Sequence, residues 1–297
     1  MIYLKNCAHA LALAATCVTF LLAPTGYAAQ VDDIDRLTEW PKLESKSKTT
    51  KEVSRLRKAR TEEMASDAAA VLADMGAGTA PLLIKALAKE KDASARERIA
   101  GVLEQICGDA HTRLIAEEFE HDSVIVRAWA LRQVASTPDQ GVIERAEMAF
   151  ERCAAIEDPD EAQRSEHLAA ALCATSSGST KALEALHETA LSAWSSEGAR
   201  IRRALESIRG PKASERFFTM ARSGSDRKAR IAALRLLAGC GEKERARDLL
   251  PMLDDSDNTI RVATINALRG IVDGEPPLEK LATFTAIEMA VEWKKRL

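Results

Sequence analysis

The histidines, cysteines and carboxylates are the residues that could do chemistry, so their spacing is read first. His187-Glu188 opens like the HExxH pair of zinc proteases, but Leu191 stands where the second histidine belongs. His111 and His121 bracket one helical segment; ten residues at 1.5 Å rise separate them by ~15 Å, too far to share a metal. Glu166-His167 has no third partner nearby in sequence. No Gly-rich phosphate loop, G-x-S-x-G elbow or CxxCH haem site occurs. The expectation is therefore a chain that is not an enzyme, with no metal and no cofactor.

The cysteines support the same reading. Beyond the first thirty residues lie Cys107, Cys153, Cys173 and Cys240, with no CxxC and no cysteine beside a histidine pair. Cys107, Cys173 and Cys240 each end an apolar helical run about ten residues past an arginine. Small buried side chains at equivalent helix positions are the simplest reading. One or two disulfides remain open if the chain enters an oxidising compartment.

The elements that position these residues are helical. Ala, Leu, Arg, Glu and Lys dominate, aromatics are 4%, and the net charge is -3, which excludes a uniformly basic nucleic-acid binder. "DRKARIAALRLLAGCGEKERARDLLPMLDDSD" is followed by a near copy, "DNTIRVATINALRGIVDGEPPLEKLATF". The marker arginines Arg230 and Arg261 extend backwards to Arg200, Arg164, Arg127 and Arg96, at intervals of 31, 37, 36, 30 and 31 from the N-terminal side. "TEEMASDAAAVLADMG" is a seventh copy without the arginine. Such a period marks stacked repeats.

Within a copy the apolar residues recur every three to four positions: Ile231, Leu234, Leu237; Val262, Ile265, Leu268; Ala128, Leu131, Val134. A turn follows at Gly210, Gly241, Gly274 or Pro138, then a partner helix such as "PLLIKALAKE", "ARDLLPMLDD" or "PPLEKLATFTAI". Pro81, Pro211 and Pro276 suit partner-helix starts. Asp92, Asp226 and Asp257 suit N-caps of the marker helices.

The order Asp-x-x-x-Arg-x-x-Ala-x-x-x-Leu, a Gly turn and a Leu-rich partner helix resembles the HEAT repeat, closest to its short, bilin-lyase-like form. The resemblance spans residues 61–297, and is tightest at 226–284 and loosest at 160–210. It implies an all-α, right-handed α-solenoid of about seven stacked helix pairs, an armadillo-type superhelix. It also implies a ladder of marker Asp and Arg, with Asp92–Arg127 and Asp226–Arg261 as rungs; capping aspartates and solvated arginines are the plainer alternative. Marker helices line the concave face in this fold. Arg132, Arg202, Arg203, Arg235 and Arg269, with Trp129, then become partner-binding candidates, although Ala169 and Leu205 break the stripe and Trp129 reads equally well as core.

Two terminal features complete the reading. Residues 1–28 carry Lys5, an apolar run of about 16 residues and Gly26-Tyr27-Ala28, the pattern of a cleavable signal peptide cut after Ala28 or Ala29. The run is short against the ~20 residues a bilayer needs. The expectation is a periplasmic or secreted protein without a transmembrane segment. Residues 29–60 read as an arm or linker. Its part at 41–60, "PKLESKSKTTKEVSRLRKAR", holds eight Lys or Arg against two Glu. It is either a solvated linker or an electrostatic arm, with Lys46, Lys48, Lys51 and Lys58 contacting an anionic envelope polymer, a lipid surface or a protein. Export, and the lack of aromatics between the charges, disfavour nucleic acid. The leading expectation is an exported, non-catalytic scaffold or adaptor. A bilin-lyase-like or enzyme-associated role and a purely structural envelope subunit are the alternatives.

Overall fold

The computed structural model describes residues 37–297, apart from 225 and 279. The signal-peptide expectation falls outside the described residues. Those described are helical, with no strand among them. The α-helices are α1 (Lys46–Arg57), α2 (Glu62–Asp74), α3 (Ala80–Lys89), α4 (Ala93–Ile106), α5 (Thr112–Ala116), α6 (Val124–Ser136) and α7 (Ile143–Ala154). They continue with α8 (Glu161–Ser176), α9 (Leu183–Ser192), α10 (Trp194–Glu206), α11 (Pro211–Ser223), α12 (Arg227–Cys240), α13 (Asn258–Leu268) and α14 (Thr283–Arg296).

The helix starts follow the capping residues. Asp92 accepts from Ala95 N at 2.8 Å, Asp226 from Ala229 N at 2.9 Å, and Asp257 from Thr259 N at 2.8 Å. Each carboxylate satisfies an N–H that has no partner within its helix. Asp160 and Gln163 form a reciprocal capping box on α8. Pro81 and Pro211 stand in the first turns of α3 and α11.

Successive marker helices lie side by side: α6 on α8, α8 on α10, α10 on α12, α12 on α13. Outer partners cover them, α7 on α8, α11 on α12, and the 3₁₀ segment Lys243–Asp254 on α13. Of the predicted inward residues, Leu131, Val134, Leu234, Leu237, Ile265 and Leu268 are fully buried, Ala128 and Ile231 are buried, and Val262 is only half-buried at the edge of the core. Two apolar clusters result, one drawn from residues 53–174 and one from residues 171–293, and they meet at the alanine-rich middle of α8.

Three local expectations change. "ARDLLPMLDD" is not an α-helix but part of a 3₁₀ run, because Pro251 lies inside it and offers neither an N–H nor room for the carbonyl four residues back. Pro276 does not start a helix. Residues 275–278 and 280–282 have no regular structure, and Asn266 exchanges two hydrogen bonds with the Leu278 backbone. The third change concerns 41–60, expected as a linker or arm. Residues 46–57 are helix α1, packed on α2, α3 and α4. Thr49, Val53 and Leu56 form a buried stripe at helical spacing beneath the basic surface, and Leu56 is 0% exposed. Arg98 donates to the carbonyls of Leu56 and Arg57, and Trp40 stacks on His111 at 5.7 Å.

Small residues set the closest approaches. A Cβ at Gly239 of α12 would lie 2.7 Å from Leu205 Cβ and 2.8 Å from the Arg202 carbonyl on α10. One at Gly270, at the equivalent place just after α13, would collide with the backbone of Ala238 on α12. Both glycines stand nine residues past their markers, Arg230 and Arg261. They let neighbouring helices pack backbone to side chain where a larger residue would hold them apart.

Candidate functional site

The marker arginines are not paired as the ladder predicts. Arg164 and Arg200 are exposed, as the plainer reading has it, and Arg200 pairs only with Glu197 of its own helix among the described residues. Four markers reach back to carbonyls of the preceding segment. Arg230 Nε donates to Ala221 O at 3.0 Å, Arg261 Nε to Leu253 O at 3.1 Å, Arg127 Nη1 to His121 O at 2.8 Å, and Arg164 to Pro159 O. Those of Ala221, Leu253 and His121 lie at or just past the C-terminal end of a helical segment, where carbonyls lack a partner; Pro159 lies just before α8. The carboxylates come from elsewhere than predicted. Asp92 and Asp226 are occupied as caps, Arg127 takes Glu166, and Arg230 takes Asp255 at 2.8 Å. Arg227 and Asp257, one repeat apart, supply a further rung.

The chemistry-bearing residues are used in packing. Glu166 is fully buried and accepts from Arg127 and Arg152. Burial pushes its pKa up, but those two guanidinium groups outweigh it and hold the carboxyl below the usual range. His167 stacks on Phe150 and His187 on Phe217. Among the described residues no three His, Cys, Asp or Glu side chains are placed to hold a metal. The four cysteines are buried free thiols. Burial pushes Cys107 and Cys240 up to about 12 and Cys153 to about 11.

The proposed partner-binding set divides. Trp129 is 1% exposed in the N-terminal core, so its outward reading is corrected: the aromatic ring fills the space between α6 and its neighbours. Arg235 lies over the Trp194 ring and donates to Ala190 O at 2.7 Å, closing the end of α9. Arg202 donates to Glu275 O at 3.3 Å, while Arg269 pairs with the Glu275 carboxylate at 2.8 Å and reaches Pro276 O. Both therefore brace the segment after Gly274 against α10 and α13. Arg203 is exposed. Lys46, Lys48, Lys51 and Lys58 are exposed on or just beyond α1. Lys46 and Lys51 flank a shallow open groove with Arg55, Ser47, Thr50 and Ser54.

Arg132 differs from the others. It is half-buried on α6, and no hydrogen bond or ion pair holds its guanidinium among the described residues. It lines a groove of about 320 Å³ with Gln133 and Ser136 of α6, Glu104 of α4 and Arg200 of α10. Arg200 is tied at one end to Glu197 at 2.7 Å. Gln133 is committed to the Cys107 carbonyl at 2.8 Å and Ser136 to the Gln133 carbonyl at 2.7 Å. Burial lowers the Arg132 pKa, and the like charge of Arg200 lowers it further, against a smaller opposing pull from Glu104. Sequence reasoning found Arg132 but not Arg200 as its neighbour; Arg200 appeared there only as a repeat marker.

A second cavity, of about 330 Å³, is lined by Glu117, Glu120, Arg145 and Arg152 beside Phe119 and Met148. Its charges balance, and Arg152 is already engaged by Glu166. The Arg132 groove is thus the stronger candidate, because it holds a half-buried guanidinium, that of Arg132, with no hydrogen-bond or ion-pair partner among the described residues.

Comparison with known proteins adds little to this. No protein-family model matches the chain, and no curated protein matches it. A crystal structure of an engineered protein from a structural genomics consortium aligns over 78% of this chain and 99% of its own, at 19% identity and a TM-score of 0.29. That likeness is too loose to carry an argument. No single helix among the described residues is long and apolar enough to cross a membrane.

Proposed function

We propose that the chain is a HEAT-like, right-handed α-solenoid of about seven helix pairs, exported through its N-terminal leader to the periplasm or beyond. It works there without catalysis, as a scaffold or adaptor for a partner protein. The repeat period, the side-by-side order of the marker helices and the outer partners support the architecture. A stack of this kind offers a long surface while each repeat depends only on its neighbours. The observation that carries the binding role is Arg132. Three of the other candidate arginines are spent on holding the fold, whereas the Arg132 guanidinium has no hydrogen-bond or ion-pair partner among the described residues in the open groove that it lines with Arg200 and Glu104. Half-buried guanidinium groups normally find acceptors, so an acidic partner fits the gap.

The test is affinity capture from the native envelope with tagged wild type and R132E, read by mass spectrometry. A reproducible protein captured by wild type and lost with R132E supports the proposal. Equal capture by both refutes the groove as the binding surface. Terminal sequencing of the native protein checks export: a start at Ala29 or Gln30 is expected, and retained Met1 in the cytoplasm overturns it.

The exposed lysines of α1 favour a second reading, contact with an anionic envelope polymer or lipid surface. Their weight rests on one open, shallow groove with no buried polar group in it.

A further inference from the structure

The groove between α4, α6 and α10 has a chemistry specific enough to name its ligand. Arg132 and Arg200 come from helices 68 positions apart in the chain, two marker copies from one another. Folding brings the half-buried Arg132 and the exposed Arg200 to one groove, where water screens Arg132 less than a fully exposed charge. The unpartnered Arg132 guanidinium gains from an anion in the groove, and only Nη1 of Arg200 is taken by Glu197, which leaves its other N–H groups to share that anion. Planar guanidinium groups match the two oxygens of a carboxylate or phosphate.

Charge decides between those oxyanions. Arg200 is already paired with Glu197, so the one guanidinium in the lining without a partner among the described residues is that of Arg132, with Glu104 beside it. A monoanion neutralises that charge. A phosphate dianion would leave a net negative charge, and Glu104 would repel it. Size agrees: about 320 Å³ admits a carboxylate with its aliphatic stem, at the lower end of the range for small-ligand sites.

We propose that this groove is a carboxylate-binding pocket that receives an aspartate or glutamate side chain of an acidic peptide segment, clamped by Arg132 and Arg200 and kept selective against phosphate by Glu104. The proposal rests on the scaffold reading and specifies which part of the surface recognises the partner and by what chemistry. Ser136 lies at the same groove, and its hydroxyl oxygen remains available as an acceptor for a peptide N–H.

The experiment uses the full protein and three probes: a hexaglutamate peptide, a hexaglutamine peptide of equal length, and inorganic phosphate. Binding is followed by calorimetry and by NMR of arginine side-chain N–H signals, at low and high salt. Hexaglutamate should bind wild type and shift the Arg132 and Arg200 signals, while hexaglutamine should not bind. Both R132Q and R200Q should weaken hexaglutamate by about tenfold or more, the loss expected for a charge-assisted contact. R132K keeps the charge without the fork and should fall between R132Q and wild type. E104Q should strengthen hexaglutamate binding and admit phosphate. Circular dichroism melts identify any variant that fails to fold, and E104Q, a gain of binding, stands independently of such failures.

Unchanged hexaglutamate affinity in R132Q and R200Q would overturn the pocket. So would phosphate binding wild type as well as hexaglutamate does. If hexaglutamate shows no binding while a captured envelope protein still depends on another part of the surface, the pocket is wrong and the scaffold reading survives. If the captured partner is lost with R132E but hexaglutamate shifts neither arginine, the groove binds by other chemistry and the carboxylate assignment falls.

Discussion

Arg127 on α6 grips Glu166 on α8 with both ends of its guanidinium, Nε to Oε1 at 2.6 Å and Nη2 to Oε2 at 2.9 Å. Arg152 on α7 adds a third hydrogen bond to Oε1 at 2.9 Å. Three helices thus meet at one buried carboxylate. It lies in the part of the chain where the repeat period stretches to 37 and 36 residues and the sequence pattern is loosest. An ionic joint stands where regular spacing does not.

E166Q should therefore destabilise the protein strongly. Removing the charge leaves two guanidinium groups facing a neutral amide, and breaking a buried pair in this way costs about 3 kcal/mol. The pH dependence has a definite sign. The Glu166 pKa is lowered in the folded state, so its contribution is complete above the unfolded value of about 4.3. It is lost as pH falls through the lower, folded value. Urea midpoints of wild type and E166Q should differ widely at pH 7 and converge in acid. Equal midpoints at pH 7 would show that Glu166 is not a structural joint.

Glycine substitutions should separate close helix contacts from free positions. Gly101 lies exposed within α4 with nothing near its missing side chain. G101A should stabilise by about 0.5–1 kcal/mol, through helix propensity and unfolded-state entropy. At Gly270 an added Cβ meets the Ala238 backbone, which cannot rotate away. G270A should cost about 1–3 kcal/mol as overpacking. Thermal melts of the two single variants test the contrast, and a shift of the same sign in both would contradict the packing.

Much of this fold is legible in the sequence. The Asp92, Asp226 and Asp257 caps and the inward faces of α6, α12 and α13 follow from local spacing, and local forces set them. What escapes reading is set by long-range geometry or masked by composition. Arg202 and Glu275 meet across 73 positions, and no periodicity announces such a pair. Helix α1 hides because eight basic residues draw attention away from Thr49, Val53 and Leu56. The Arg132–Arg200 groove is half legible. Arg132 stands out as a repeated offset, but only the packing of α6 and α10 on the same helix, α8, selects its companion.

The buried leucines give a test of how tightly the ends are coupled to the middle. Leu56 and Leu268 are each 0% exposed, one in the N-terminal cluster and one in the C-terminal cluster. Each Leu→Ala change should cost about 2–5 kcal/mol. Because contacts run between neighbours, L56A should lower hydrogen-exchange protection first in α1 to α4, and L268A first in α12 to α14. Uniform loss along the chain in both variants would mean a single cooperative core. A loss under about 0.5 kcal/mol for L56A, at the level of an ordinary surface change, would return α1 to the status of a loose arm.

The exposed lysines of α1 provide the last test, because they can be altered without touching the buried stripe. Reversing Lys46, Lys48, Lys51 and Lys58 to Glu leaves Thr49, Val53 and Leu56 in place, so the melting curve should stay close to wild type. Any anionic partner recruited here would feel these charges over roughly a Debye length, ~8 Å at physiological ionic strength. Its association should then slow markedly in the reversed protein and lose its salt dependence. Vesicles with and without anionic lipid, together with the captured partner, supply the two binding assays. A salt-dependent on-rate lost on lysine reversal but kept in R132E would place recognition on α1. The opposite pattern would leave α1 as the basic end-cap of the stack, its charge directed at solvent, and the Arg132 groove as the surface that binds.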